Sequence, residues 1–97
     1  MKICVLGLWH LGSVISAGLA KLGHTVVGLD FNNEVIGNLQ NAHAPVSEPG
    51  LNELIHETLK RKTLRVTQDP RVALQDAYVL WITFDIQPAV FTIVIIW

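Results

Sequence analysis

The sequence predicts an α/β domain with a mostly parallel β-sheet and helices on both of its faces. Short β-branched apolar runs alternate along the chain with amphipathic helical segments, an order that is typical of parallel sheets. The apolar runs lack the polar alternation of a half-exposed strand, so we expect both faces of the sheet to be covered. The 97 residues suffice for one hydrophobic core, and a multidomain enzyme is therefore not expected.

The first thirty residues predict a complete strand, helix and strand. Residues 2–6 form an apolar run that ends at a glycine and indicate a buried strand. Residues 11–22 repeat apolar side chains at steps of three and four, which predicts a helix with Ser13 and Ser16 on its solvent side. Residues 25–30 form a second β-branched run. This order predicts a right-handed β-α-β unit.

Two further helices are expected after the second strand. Residues 33–40 indicate a short helix, although Gly37 weakens it by about 1 kcal/mol relative to alanine. Residues 51–59 carry a clearer apolar stripe, and Ser47 or Glu48 is the expected N-cap of that helix.

The remaining segments continue the alternation of strands and helices. Residues 64–67 predict a short strand, and Asp69 followed by Pro70 is typical of a helix start. Residues 72–76 then predict a short helix that leads into a strand over residues 78–84.

The turn after the first strand is a candidate phosphate-binding site. A dinucleotide fold needs glycines there, in the pattern Gly-x-Gly-x-x-Gly, so that helix amides can approach a pyrophosphate. Here Gly7 and Gly12 occupy the first and third positions, and Trp9 replaces the second glycine. The indole either obstructs the cofactor or stacks on it, and the sequence leaves both possibilities open.

An acidic residue at the expected distance supports the same interpretation. Asp30 follows Gly12 by eighteen positions, close to the spacing of the carboxylate that binds a ribose diol. No arginine follows Asp30 to receive a 2′-phosphate, so NAD is favoured over NADP. Thr83 is expected at the carboxyl edge of the sheet, where parallel sheets bind ligands. The alternatives are a structural turn glycine with a solvated Asp30, and for Thr83 a strand-end threonine without a function.

Composition argues against several classes of partner and site. A net charge of −1 offers no field for nucleic acid or an anionic membrane. The single cysteine, Cys4, lies inside the first apolar run, so we expect a buried, inert thiol and a cytoplasmic protein. No two of the four histidines stand three or four residues apart, so no metal site is expected.

The last nine residues form an uncharged, β-prone tail. Residues 89–97 are too few to cross a bilayer as a helix. Such a run can add a strand to the sheet or pair with another chain, which predicts self-association if the edge stays open. A truncated or frameshifted reading frame is the expected origin of this tail.

Four segments of the chain resemble the N-terminal NAD-binding domain of the UDP-glucose/GDP-mannose dehydrogenase family. They are residues 2–8, 22–30, 45–51 and 67–70. The most specific of them contains Glu-Pro-Gly-Leu at residues 48–51, and the likeness extends to about Asp85. The resemblance implies a partial Rossmann fold that binds NAD. Trp9 and His10 stand where the family usually has a glycine and an aromatic residue.

The resemblance also implies residue roles and a function. Gly7, Leu11 and Gly12 are expected under the pyrophosphate, Asp30 on the adenosine ribose, and Thr83 near the dinucleotide. The family oxidises the C6 alcohol of a nucleotide sugar in two NAD-dependent steps, with catalytic and sugar-binding residues that lie beyond this chain.

The resulting hypothesis is an incomplete NAD-binding domain over residues 1–88, without catalytic residues of its own and with the tail outside the resemblance. The nucleotide sugar is expected as a partner only of a full-length parent. The alternatives are a non-catalytic oligomerising fragment and a Rossmann dehydrogenase of the 6-phosphogluconate type.

Overall fold

A computed structural model describes residues 1–86 and 89–96 of the chain. Its elements are, in chain order, β1 (Lys2–Leu6), α1 (His10–Lys21), β2 (Thr25–Leu29), α2 (Asn33–Gln40), α3 (Leu51–Lys60), β3 (Leu64–Thr67), α4 (Pro70–Leu74), β4 (Val79–Ile86) and β5 (Ala89–Ile96). The predicted order of strands and helices is confirmed.

The five strands form one sheet in the order β3-β2-β1-β4-β5. The first four are parallel, and β5 runs antiparallel to β4. The chain moves outward from β1 through β2 to β3 and then returns to place β4 on the other side of β1. The carboxyl end of β1 is therefore the switch point in strand order, where open α/β sheets bind their ligands.

Helices cover both faces of the sheet at β1 and β2, as predicted, but not at β5, where residues 92–96 are exposed. One face packs Ile3, Val5 and Val26 against α1, α2 and α3, whose buried apolar residues join the same cluster. The opposite face packs Cys4 and Val27 against Ala73 and Ala77, in and just after α4. Adjacent residues of β1 thus point to opposite covered faces, which explains why the strand sequence shows no polar alternation.

The buried face of α1 differs from the predicted one. Its buried residues are all small: Gly12, Ser13, Ser16, Ala17 and Ala20. The prediction that Ser13 and Ser16 face solvent is therefore wrong. Small side chains let the helix axis approach the sheet closely, whereas the larger Val14, Ile15 and Leu19 remain only partly buried at its flanks.

The helix caps agree with the sequence at α4 and differ at α3. Asp69 caps α4 by accepting a hydrogen bond from the Arg71 amide, as expected, although the helix begins at Pro70 rather than residue 72. The expected caps of α3, Ser47 and Glu48, are wrong. Gly50 is the N-cap in a left-handed conformation, with φ of 80°, which the chain reaches there at little cost because glycine lacks a Cβ.

Most of the apolar tail forms an edge strand. β5 pairs with β4 from Ala89 opposite Ile86 to Ile96 opposite Val79. Residues 92–96 are exposed. The predicted domain boundary after residue 88 falls on residues 87–88, which lie outside the described residues. Across residues 1–86 and 89–96, none of the helices has both the length and the apolar character that a bilayer span requires.

Candidate functional site

Gly7 forms the turn at the carboxyl end of β1, where neighbouring strands hold it on two sides. Its backbone adopts a φ of +94°, which side chains disfavour, and its amide donates to the Leu29 carbonyl at 2.9 Å. The Thr83 hydroxyl donates to the Gly7 carbonyl at 2.8 Å. A Cβ on Gly7 would lie 2.1 Å from the Thr83 carbonyl oxygen. Only glycine fits between β2 and β4 at this point.

Gly12 brings the first turn of α1 onto the Gly7 turn. A Cβ at this position would lie 1.7 Å from the Gly7 carbonyl oxygen. Thr83 is the first residue of β4 beyond the stretch paired with β1, which stops at Ile82. β4 continues to Ile86, so the strand is longer than the sequence predicts, but Thr83 still lies at the carboxyl edge of its parallel part.

The amino end of α1 keeps its backbone amides uncapped by side chains. Trp9 is the N-cap residue and makes no side-chain capping bond, and the first turn contains no acidic residue. By contrast, Asn32 caps α2. The first amides of a helix have no partner within it and carry the positive end of the helix dipole. Leu11 is half-buried in this turn. Its backbone amide is one of the amides at the amino end of α1 that face the switch point.

Asp30 lies beside this turn and is held by two backbone amides. Its Oδ2 accepts from the Leu8 amide at 2.8 Å, and its Oδ1 accepts from the Asn32 amide at 2.9 Å. An ionised carboxylate has about four acceptor sites, so it can still receive two hydroxyls. Gly28 makes room for the buried Leu8 side chain, because a Cβ there would lie 2.9 Å from the leucine methyls.

Ser13 supports the turn in a way that the sequence analysis missed. Its hydroxyl donates to the Leu8 carbonyl at 2.8 Å, and the residue is 2% exposed. The Leu8 backbone is thus held at its carbonyl by Ser13 and at its amide by Asp30. The polar residue directly after Gly12 was the available signal in the sequence. The helical periodicity instead predicts that the larger apolar side chains are buried.

Trp9 points toward α2. The indole is 49% exposed. It lines a cleft of about 250 Å³ together with Asn32, Glu34, Val35, Asn38, Ala44 and Pro45. The residues that line this cleft do not include Gly7, Gly12 or Thr83.

His10 connects the amino end of α1 to the segment before α3. Its Nε2 lies 3.4 Å from Oε2 of Glu48, and both side chains are partly exposed. Glu48 belongs to the Glu-Pro-Gly-Leu segment, so this contact ties that segment to the turn. Within the described part of the chain, the histidines and acidic residues form no group of three that could hold a metal ion.

Cys4 takes no part in the site. It is fully buried in the middle of β1, and burial raises the pKa of its thiol to about 11, while the charge of Lys2 acts in the opposite direction. A thiol with so high a pKa is protonated at neutral pH and is a poor nucleophile. The expectation of a buried cysteine is confirmed.

The fold brings four of the five predicted site residues into direct or adjacent contact. Gly7, Gly12 and Thr83 meet at one point, and Asp30 lies one peptide away through its bond to Leu8. Leu11 shares the turn through its backbone. This arrangement fits a diphosphate that is joined to a ribose. It offers uncapped amides, backbone that a ligand can approach closely, and a half-buried carboxylate.

Comparisons with known proteins identify relatives of this domain. Residues 1–86 match the family model described as UDP-glucose/GDP-mannose dehydrogenase family, NAD binding domain. UDP-glucose 6-dehydrogenase AglM of Haloferax volcanii is 38% identical over 71% of this chain and 16% of its own length. GDP-mannose 6-dehydrogenase of Pseudomonas syringae pv. tomato is 39% identical over the same shares.

Solved structures agree with these relatives. GDP-mannose dehydrogenase of Pseudomonas aeruginosa, in a ternary complex, superposes with a TM-score of 0.83 at 30% identity, over 88% of this chain and 20% of that one. UDP-glucose dehydrogenase of Pyrobaculum islandicum superposes with a TM-score of 0.77 at 32% identity, over 84% and 19%. The chain thus spans a fifth or less of the length of these relatives. It belongs to the UDP-glucose/GDP-mannose dehydrogenase family, as the NAD-binding domain of that family.

Proposed function

We propose that this chain binds NAD across the carboxyl end of β1. Gly7, Leu11 and Gly12 lie under the pyrophosphate, Asp30 holds the adenosine ribose, and Thr83 lies near the dinucleotide. The observation that carries this proposal is the position of the Asp30 carboxylate, held by the Leu8 amide at 2.8 Å beside the uncapped end of α1.

The pyrophosphate is bound by backbone rather than by charged side chains. The amides of the first turn of α1 point toward the switch point, and the helix dipole adds about half a positive charge. Trp9 supplies no capping oxygen that would compete with a phosphate. Thr83 serves the site chiefly by donating to the Gly7 carbonyl, which fixes the turn against β4.

Asp30 selects NAD over NADP. Its carboxylate accepts the two ribose hydroxyls, while a 2′-phosphate would bring a second negative charge to the same place. The chain has no lysine or arginine from residue 31 to residue 59, and Glu34 follows closely in α2. The 2′-phosphate of NADP would therefore meet two carboxylates and no nearby cation from this segment.

The wider reaction is oxidation of a nucleotide sugar, with NAD as the hydride acceptor. The relatives named above are UDP-glucose and GDP-mannose dehydrogenases, and the chain covers a fifth or less of each. The one cysteine of this chain, Cys4, is buried and protonated. We therefore assign cofactor binding to these 97 residues, and sugar binding and catalysis to residues outside them. The family assignment leaves the 6-phosphogluconate-type alternative without support.

A second proposal concerns the sheet edge. The β5 residues Ile93, Val94, Ile95 and Ile96 are 43–65% exposed, and no charged residue follows Asp85. An open, apolar edge strand is a template for pairing with another strand. We propose that β5 pairs with β5 of a second copy.

The unpaired thiol of Cys4 suits a reducing compartment, so the cytoplasm is the proposed location.

Calorimetric titration of the folded chain with NAD and with NADP tests the main proposal. We expect NAD to bind at least tenfold more tightly than NADP. Asp30→Asn should weaken NAD at least tenfold, because it removes the charge and one acceptor for the ribose diol. Glu53→Gln is the matched control, since Glu53 is an exposed carboxylate in α3. Equal binding of both cofactors, or equal loss in both variants, would refute the proposal.

A further inference from the structure

Two buried polar groups away from the cofactor site have no hydrogen-bond partner in the part of the chain that the structure describes. One is the hydroxyl of Ser16 in α1, a residue that is 2% exposed, and the other is the buried indole N–H of Trp81 in β4. A buried group without a partner is destabilising, and nearly all such groups in folded proteins are paired. We propose that these two groups form an internal binding site for one water molecule between α1 and β4.

The packing of α1 on β4 brings the two groups together. Gly12 lies against Thr83, since a Cβ on Gly12 would lie 3.0 Å from the Thr83 hydroxyl oxygen. From that contact, α1 runs back toward the amino ends of the parallel strands. Ser16 is four residues beyond Gly12, about 6 Å along the helix axis. Trp81 is two residues before Thr83, about 6.6 Å back along the strand and on the same face. Ser16 therefore lies over Trp81.

The next turn of the helix supports this register. Ala20 follows Ser16 by four residues, and Val79 precedes Trp81 by two. Ala20 and Val79 belong to the same buried cluster, and Trp81 packs against that cluster as well. Leu80 packs in the cluster on the opposite face of the sheet, as strand alternation requires. The Trp81 side chain thus lies on the face that α1 covers.

The chemistry of the two groups suits a water molecule between them. The indole N–H of Trp81 can only donate a hydrogen bond, whereas the Ser16 hydroxyl can donate or accept. The two groups make no direct hydrogen bond to each other. Water accepts from the indole and bonds to the hydroxyl, so it satisfies both. Buried waters in proteins typically bind two to four polar groups that would otherwise stay unpaired.

The water would connect α1 to β4 one helical turn below the contact of Gly12 with Thr83. That contact holds only the first turn of α1, so a bridge at Ser16 fixes the helix to the strand at a second point. The proposed site uses none of the residues assigned to NAD. Its failure would therefore leave the proposed cofactor site unaffected, and the reverse also holds.

A crystal structure of the full chain, at a resolution that shows ordered water, tests the site directly. We expect one water within about 2.7–3.2 Å of both the Ser16 Oγ and the Trp81 Nε1 atoms. In crystals of Ser16→Ala this water should be absent, because one of its two partners is gone. A direct hydrogen bond between the serine and the indole would overturn the proposal, and so would other protein partners for both groups.

Urea unfolding of Ser16→Ala, Trp81→Phe and the double variant measures the same link in solution. Both substitutions remove one bridge, so the unfolding constant of the double variant should differ at least about threefold from the product of the two single changes. Thr58→Val is the matched control, because the hydroxyl of this buried residue already donates to the Leu54 carbonyl at 2.8 Å. Its effect should simply multiply with that of Trp81→Phe. If the effect of Ser16→Ala also multiplies with it, the bridge is refuted.

Discussion

At the residue scale, the site depends on positions where a side chain has no room. Gly12 and Gly18 lie in the same helix, but their surroundings differ. A Cβ on Gly12 would meet the Gly7 carbonyl at 1.7 Å, whereas a Cβ on Gly18 would meet nothing within 4 Å. Gly12 is required by the contact between helix and turn, and Gly18 is not.

The two glycines therefore respond in opposite ways to alanine. Gly18→Ala should stabilise the fold by about 0.5–1 kcal/mol, because alanine loses less backbone entropy in a helix. Gly12→Ala should destabilise it by about 3 kcal/mol, because the turn must move away from the helix. Urea unfolding of both variants measures the difference. Similar free energies of unfolding for the two variants would contradict the close contact.

Cys4 makes stability depend on pH in the alkaline range. Burial raises the pKa of the thiol from 9.0 to about 11, so the folded state keeps a proton that the unfolded state releases. The resulting stabilisation is complete below pH 9 and is lost as the pH rises through 11. The loss amounts to about 3 kcal/mol in all.

Urea unfolding between pH 7 and pH 11 tests this dependence against Cys4→Ala. The alanine variant should be less stable at pH 7, because it leaves a small cavity, but its stability should fall less steeply above pH 9. Other groups that titrate in this range are common to both proteins. Parallel pH profiles would show that the thiol does not contribute.

At the element scale, α1 is positioned by its smallest residues. The helical periodicity of the sequence predicts correctly that residues 11–22 form a helix, but it selects the wrong buried face. A rule that buries the largest apolar side chains fails where a helix must approach a sheet closely, and the row from Gly12 to Ala20 makes that approach possible. The same rule fails to predict that Ser13 is buried.

Other elements were predictable because their signals are local. The turn glycines, the Asp30 spacing and the Asp69 cap each follow from a few adjacent residues. The cap of α3 was not, because Gly50 depends on a left-handed backbone rather than a capping side chain. The partners of Asp30 and the direction of the Trp9 indole required the three-dimensional arrangement of three separate segments.

Thr83 connects β4 to the turn, and a conservative pair of substitutions measures this connection. Thr83→Val should lower the free energy of unfolding by about 1–2 kcal/mol, because the Gly7 carbonyl loses its buried donor. The substitution should also weaken the binding of NAD, because the turn is less well fixed. Thr83→Ser keeps the hydroxyl and should recover most of both effects. Equal behaviour of valine and serine would exclude the hydrogen bond as the cause.

At the scale of the whole molecule, one edge of the sheet is short and the other is apolar. β3 has four residues, whereas β5 has eight and exposes its side chains from Thr92 to Ile96. Natural edge strands usually carry charges that discourage pairing, and β5 carries none. The proposed pairing of two copies follows from this difference.

A charge on β5 tests the proposed pairing. Val94→Lys should shift the chain from dimer to monomer in sedimentation velocity, because the lysine would be desolvated between two copies. Arg65→Lys, at the exposed position of β3, should leave the dimer intact. A wild-type chain that sediments as a monomer at all concentrations would contradict the proposal.

The central claim is that the amino end of α1 and the Asp30 carboxylate together hold the ADP-ribose part of NAD. Amide chemical shifts of the ¹⁵N-labelled chain during titration with NAD test it most directly. We expect the largest changes at Leu8, Leu11, Gly12 and Asn32, and negligible changes at residues 71–76 around α4. Changes concentrated elsewhere, or none at millimolar NAD, would contradict the account.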